Sequence, residues 1–143
     1  AKVDNYRSIS NNARLGGRKP IYCTGLGKAF LTFLPEKERE ELVSRLEFTP
    51  YTKNTITTKE DLYKQLETFR EQGYSIDNEE IEVGLWCAAA PVFGSSGRVE
   101  AAVSVAGPTV RMLENKEKIV RTLLKVTREL SEKMGYTGRI YGK

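Results

Sequence analysis

Two strand-like runs joined by a short turn constrain this chain more than any other feature. Gly84-Leu85-Trp86-Cys87-Ala88-Ala89-Ala90-Pro91-Val92 leads into Gly94-Ser95-Ser96-Gly97. Beyond the turn, Val99, Ala101, Val103 and Val105 alternate with Glu100, Ala102, Ser104 and Ala106. A period of two marks a strand, and a Gly/Ser turn between two such runs closes an antiparallel hairpin. Closed without a bulge, the turn pairs Phe93 with Arg98, Cys87 with Ser104 and Leu85 with Ala106. Opposed residues share a face, with Cβ atoms about 5 Å apart. Cys87, Ser104 and Ala106 then line one face, and Trp86 points to the other. A slip of one residue would reverse one strand. Small side chains on such a strand leave room beside the sheet for a pocket.

Helix signals surround the hairpin. In Thr24-Gly25-Leu26-Gly27-Lys28-Ala29-Phe30, Thr24 can cap a helix running to about Phe33. Free N–H groups and the helix dipole at that end can hold a small anion. Pro35, Glu36 and Glu38 open a second helix with Leu42, Val43 and Leu46 on its apolar side. Thr58 opens a third, with Asp61 as an imperfect capping box and Leu62, Leu66 and Phe69 facing the core. Gly73 closes it. A stripe of Ile119, Val120, Leu123, Leu124, Thr127, Leu130 and Met134 predicts a last helix, ended by Gly135. Tyr6–Ser10 reads as a strand, Asn11–Pro20 as a loop, and Phe48–Thr55 as irregular. Helices around hairpin-joined strands define an α+β fold with an antiparallel sheet.

Composition narrows the chemistry. The 143 residues contain no histidine and two cysteines, Cys23 and Cys87. Without histidine the usual general base, the Ser-His and Cys-His dyads and the commonest metal ligand are gone. No catalytic residue, metal or cofactor is expected. Two cysteines make no disulfide framework, so a reducing cytoplasm is the expected setting. The net charge of +4 is modest and scattered, with only Arg14, Arg18 and Lys19 loosely grouped. Nucleic-acid faces are denser in charge. No apolar run reaches spanning length, so no membrane contact is expected. The chain begins at Ala1 rather than Met and is read as an excerpt of a longer protein.

Five segments in order carry a specific resemblance: Thr24-Gly25-Leu26-Gly27-Lys28-Ala29, Arg70-Glu71-Gln72-Gly73-Tyr74, Asp77-Asn78-Glu79-Glu80, Gly84-Leu85-Trp86-Cys87-Ala88-Ala89 and Ser104-Val105-Ala106-Gly107-Pro108. With them the chain resembles the C-terminal effector-binding domain of IclR-type bacterial transcription regulators, from about Ile9 to Tyr136. The resemblance implies a GAF-like fold, an antiparallel-rich twisted sheet flanked by helices. It implies residues 1–143 as a single effector-binding domain whose DNA-binding domain lies outside the chain. It implies a small organic-acid effector, and self-association as a dimer or tetramer. Carried over residue by residue, it puts the effector against the N–H groups of Gly25 and Leu26, with Asp77, Cys87 and Ser104 beside them. Ala106 stands where some members have a second serine, and Leu26 where alanine is common, so the pocket is smaller and more apolar.

Each of these residues also has a structural reading. Gly25 and Gly27 can serve tight helix–loop packing alone, Cys87 can be a small buried hydrophobe, Ser104 can satisfy backbone, and Asp77 can cap a turn. Lys28 reads as a solvated or salt-bridged helix residue, and Glu79, Glu80 and Glu82 as a solvated edge. Two rival functions follow: a GAF-like thiol-dependent enzyme using Cys87, and an oligomerisation domain without a ligand. The missing histidine and the apolar strand around Cys87 weigh against the enzyme.

Overall fold

The computed structural model describes residues 1 and 14–138. The strand expected at Tyr6–Ser10 lies outside them, as does the first part of the loop after it. Eight elements follow in chain order: α1 (Gly25–Phe33), α2 (Glu36–Ser44), α3 (Lys59–Gln72), β1 (Ser75–Asn78), β2 (Leu85–Phe93), β3 (Val99–Pro108), α4 (Thr109–Glu114) and α5 (Lys116–Lys133). The α+β antiparallel architecture is the expected one.

Local chemistry explains the helix ends. The Thr24 hydroxyl accepts from the Gly27 N–H at 3.2 Å, and the Thr58 hydroxyl accepts from the Asp61 N–H at 3.2 Å. Each satisfies one donor that the helix itself cannot. Pro35 stands at the cap of α2, one position before the helix rather than inside it. Gly73 and Gly135 follow α3 and α5 at φ 85° and 86°, left-handed angles that glycine adopts without strain. The short α4 was not legible. It starts where the Thr109 N–H donates to the Gly84 carbonyl at 2.9 Å, an anchor 25 positions away that no local pattern announces.

The sheet runs β1-β2-β3, antiparallel throughout. Its register differs from the expected one. Cys87 faces Ala106, Ala89 faces Ser104 and Leu85 faces Pro108. The turn is wider than a clean four-residue closure: the Gly94 N–H donates to the Arg98 carbonyl, and Phe93 pairs with Val99. An irregularity between Val92 and Phe93 then adds a second one-residue offset. Two offsets of one residue cancel in parity. Cys87, Ser104 and Ala106 therefore keep the common face expected for them, although the partners are wrong by two.

β2 is buried along nearly its whole length because helices cover both faces. On one side Trp86, Ala88 and Ala90 pack with Met112 of α4 and Leu123 of α5. Alanines there let α5 approach closely, and Trp86 fills the remaining volume. On the other side α1 lies across the sheet, backed by a second cluster of Tyr22, Cys23, Leu31, Val43, Leu62, Leu66 and Phe69. The α5 stripe is only partly used: Leu123 and Thr127 are buried, while Leu130 and Met134 stay exposed. Among the described residues, no helix is long and apolar enough to cross a membrane.

Candidate functional site

The N-terminus of α1 meets the middle of the sheet at Gly25. A Cβ there would stand 2.7 Å from the Cys87 sulfur and 3.4 Å from the Ala89 Cβ. The φ of Gly25 is not positive, so glycine is required for space and not for backbone angle. Gly27 is required likewise, since a Cβ would run into the Ile21 backbone. Thr24 caps Gly27, and the intrahelical ladder begins with the Lys28 N–H on the Thr24 carbonyl at 2.9 Å. The N–H groups of Gly25 and Leu26 precede that ladder. Leu26 itself is exposed on the first turn.

The β strands bring the other expected residues to this spot. Asp77 of β1 pairs directly across from Cys87, and Ala106 of β3 does so from the other side. Ser104 is half-buried, opposite Ala89. Burial pushes the Cys87 thiol up to about 12, and the nearby Asp77 carboxylate adds to the rise. The Ser104 hydroxyl, Lys28 and the Gly25 N–H oppose it. Gly25, Asp77, Cys87, Ser104 and Ala106 thus share one locus, with Leu26 at its edge.

Asp77 is only 2 % exposed. Its Oδ1 accepts the Glu80 N–H at 2.8 Å. Burial is the main reason its carboxyl rises to about 6; the Glu80 N–H and the Lys28 ammonium pull the other way, while the Glu80 carboxylate adds to the rise.

Three further residues adjoin the site: Lys28 is salt-bridged, one of the two readings open to it, Glu80 departs from the solvated edge expected of it, and Ser75 carried no expectation. Lys28 is fully buried, and Glu80 is 2 % exposed rather than on a solvated edge. The Lys28 Nζ donates to Glu80 Oε2 and, at 2.9 Å, to Gln65 Oε1, and it lies 5.3 Å from the centre of the Phe69 ring. Glu80 Oε1 is buried without a partner. The other two acids differ: Glu79 adopts φ 58° and accepts the Gly84 N–H, while Glu82 is exposed. Ser75, fully buried, donates to the Gly25 carbonyl at 2.6 Å and ties β1 to α1. Its spacing of two from Asp77 was the signal that would have placed it on the site's face.

The arrangement suits holding a ligand more than attacking one. Cys23 and Cys87 are both buried and both pushed up to about 12. A thiol so raised carries almost no thiolate at neutral pH. Among the described residues, no group of three or more His, Cys, Asp or Glu is placed to hold a metal ion.

The family model described as "Bacterial transcriptional regulator IclR C-terminal" matches residues 1–132. The chain belongs to the IclR family of bacterial transcription regulators, and its fold is that of their C-terminal domain. The transcriptional regulator KdgR of Dickeya chrysanthemi is 40% identical over 136 residues, 94% of this chain and 45% of KdgR. The chain thus spans about half the length of the curated relatives it matches. The crystal structure of Thermotoga maritima IclR aligns with a TM-score of 0.90 and 39% identity, over 95% of this chain and 56% of that one. The inducer-binding domain of PobR from Acinetobacter, a double mutant in complex with 3-hydroxybenzoic acid, aligns with a TM-score of 0.77 and 27% identity, over 90% and 74%. The relatives are transcription regulators and not enzymes, which removes the thiol-dependent enzyme as a rival.

Proposed function

We propose that this domain senses a small carboxylate-bearing metabolite. The site would be the α1 N-terminus at Gly25 and Leu26, with Asp77, Cys87, Ser104 and Ala106 around it. The observation carrying this reading is the convergence on one sheet face of two ladder-free N–H groups, a hydroxyl and a buried carboxyl. The N–H groups and the helix dipole favour an anionic end. Ser104 and Asp77 supply polar contacts beside them. The PobR inducer-binding domain, whose bound molecule is a carboxylic acid, supports the ligand class.

The effector acts by differential affinity for two arrangements of the parent regulator. Those arrangements are a dimer or tetramer formed through this domain, and DNA is contacted by a domain outside this chain. The isolated chain then shows no sequence-specific retention on operator DNA at physiological salt. Retention by residues 1–143 alone would overturn that division of labour.

A thermal-shift screen of the 143-residue chain against small organic and sugar acids tests the sensing. A ligand at a hundred times its dissociation constant adds about 2.7 kcal/mol, a shift of several degrees. Gly25→Val should remove the shift and Ser104→Ala should weaken it, each in a variant confirmed to be folded. A shift that survives Gly25→Val and vanishes with Ser104→Ala would move the site away from the α1 N-terminus.

A further inference from the structure

The charges enclosed beside the site do not balance. Facing Asp77 are Lys28 from α1, Glu80 from the β1–β2 connection, Cys87 from β2, and Cys23 from the segment before α1. Both thiols are neutral at ordinary pH. The Lys28 ammonium is engaged by Glu80 and Gln65, so it does not serve Asp77 alone. Two carboxylates and one ammonium leave one uncompensated negative charge, with Glu80 Oε1 already lacking a partner. A second anion at Gly25 and Leu26 would face that charge across the Cys87 position. The helix end offsets only about half a charge, and enclosed like charges repel strongly.

We propose that a carboxylate bound at the α1 N-terminus brings one proton from solvent onto Asp77, whose neutral carboxyl then donates a hydrogen bond to the bound anion. This rests on the sensing function proposed above and deepens it. Asp77 becomes the residue that decides which ligands enter: those able to accept a hydrogen bond at their anionic end. A raised carboxyl already near 6 makes that proton easy to acquire. Above that value the free protein must take the proton up on binding. Affinity then falls tenfold per pH unit until the bound form also loses its proton. Below it, Asp77 is protonated beforehand and affinity is level.

The test uses calorimetry on the 143-residue chain with acetate and with 3-hydroxybenzoate as probes, at pH 5 and pH 7.5. Each titration is repeated in buffers of different ionisation enthalpy, which counts protons. Carboxyl NMR follows Asp77 directly, so the result does not depend on a variant. The expected outcome is close to one proton taken up per ligand at pH 7.5, almost none at pH 5 with 3-hydroxybenzoate, whose own carboxyl is ionised there, and an Asp77 resonance that titrates upward in the complex. Asp77→Asn should bind with no proton uptake and a level pH profile. Binding by wild type with no proton uptake at pH 7.5 overturns the coupling and leaves the sensing function standing. No binding of either carboxylate at either pH overturns both.

Discussion

Gly25 and Cys87 are packed so closely that the space for one side chain is already used by the other: a Cβ on Gly25 would stand 2.7 Å from the Cys87 sulfur. Gly25→Ala should therefore overpack, at about 1–3 kcal/mol. Combined with Cys87→Ala, whose own Cβ lies at an ordinary 3.6 Å, most of that loss should return. Urea unfolding of the two single variants and the double variant measures it. Strictly additive losses would show that the contact is relieved by backbone movement instead.

Lys28 and Glu80 form a buried pair joining α1 to the loop after β1. Lys28→Met leaves a buried carboxylate without its cation and should cost about 3–5 kcal/mol. Lys28→Met with Glu80→Met removes both charges and should return close to wild-type stability, since apolar replacements of such pairs are often neutral. Denaturant midpoints of both variants decide this. A double variant no better than the single one would mean the pair's hydrogen-bond geometry is itself needed.

Asp77 makes stability depend on pH in a known direction. Its carboxyl rises from the ordinary 3.8 to about 6 on folding. The folded chain keeps the proton where the unfolded chain has released it. Its favourable contribution is complete below about pH 4, is lost as pH rises toward 6, and stays lost above. Asp77→Asn should gain about 2–3 kcal/mol on wild type between pH 4 and pH 7.5. A stability difference that is level across that range would place Asp77 in a wetter setting.

Cys87 should be sluggish toward thiol reagents. A thiol near 12 carries roughly a thousandth of the thiolate of an exposed cysteine at pH 8, and its labelling should slow by a similar factor. Cys23 is similarly raised, so the rate is read in a Cys23→Ser background. Labelling at the rate of a free thiol would mean that α1 lifts off the sheet often.

The sequence by itself determined what short-range chemistry determines. Thr24 and Thr58 cap helices because a hydroxyl can reach an N–H three residues on. Gly73 and Gly135 end helices because only glycine adopts their φ angles freely. Alternation along Val99–Ala106 announced a strand, and parity alone put Cys87, Ser104 and Ala106 on one face. Tertiary structure decided the rest. The widened turn moved the partner of Phe93 by one, and the irregularity at Val92/Phe93 moved the partners from Val92 back to Leu85 by two, because a bulge reflects how strands twist against the helices covering them. The burial of Lys28 and Glu80 depends on contact between positions 52 apart. Nothing near either residue distinguishes a charge facing solvent from a charge facing its opposite in the core. Burial belongs to the packed surroundings, and with it come the raised Asp77 carboxyl and the charge imbalance beside α1.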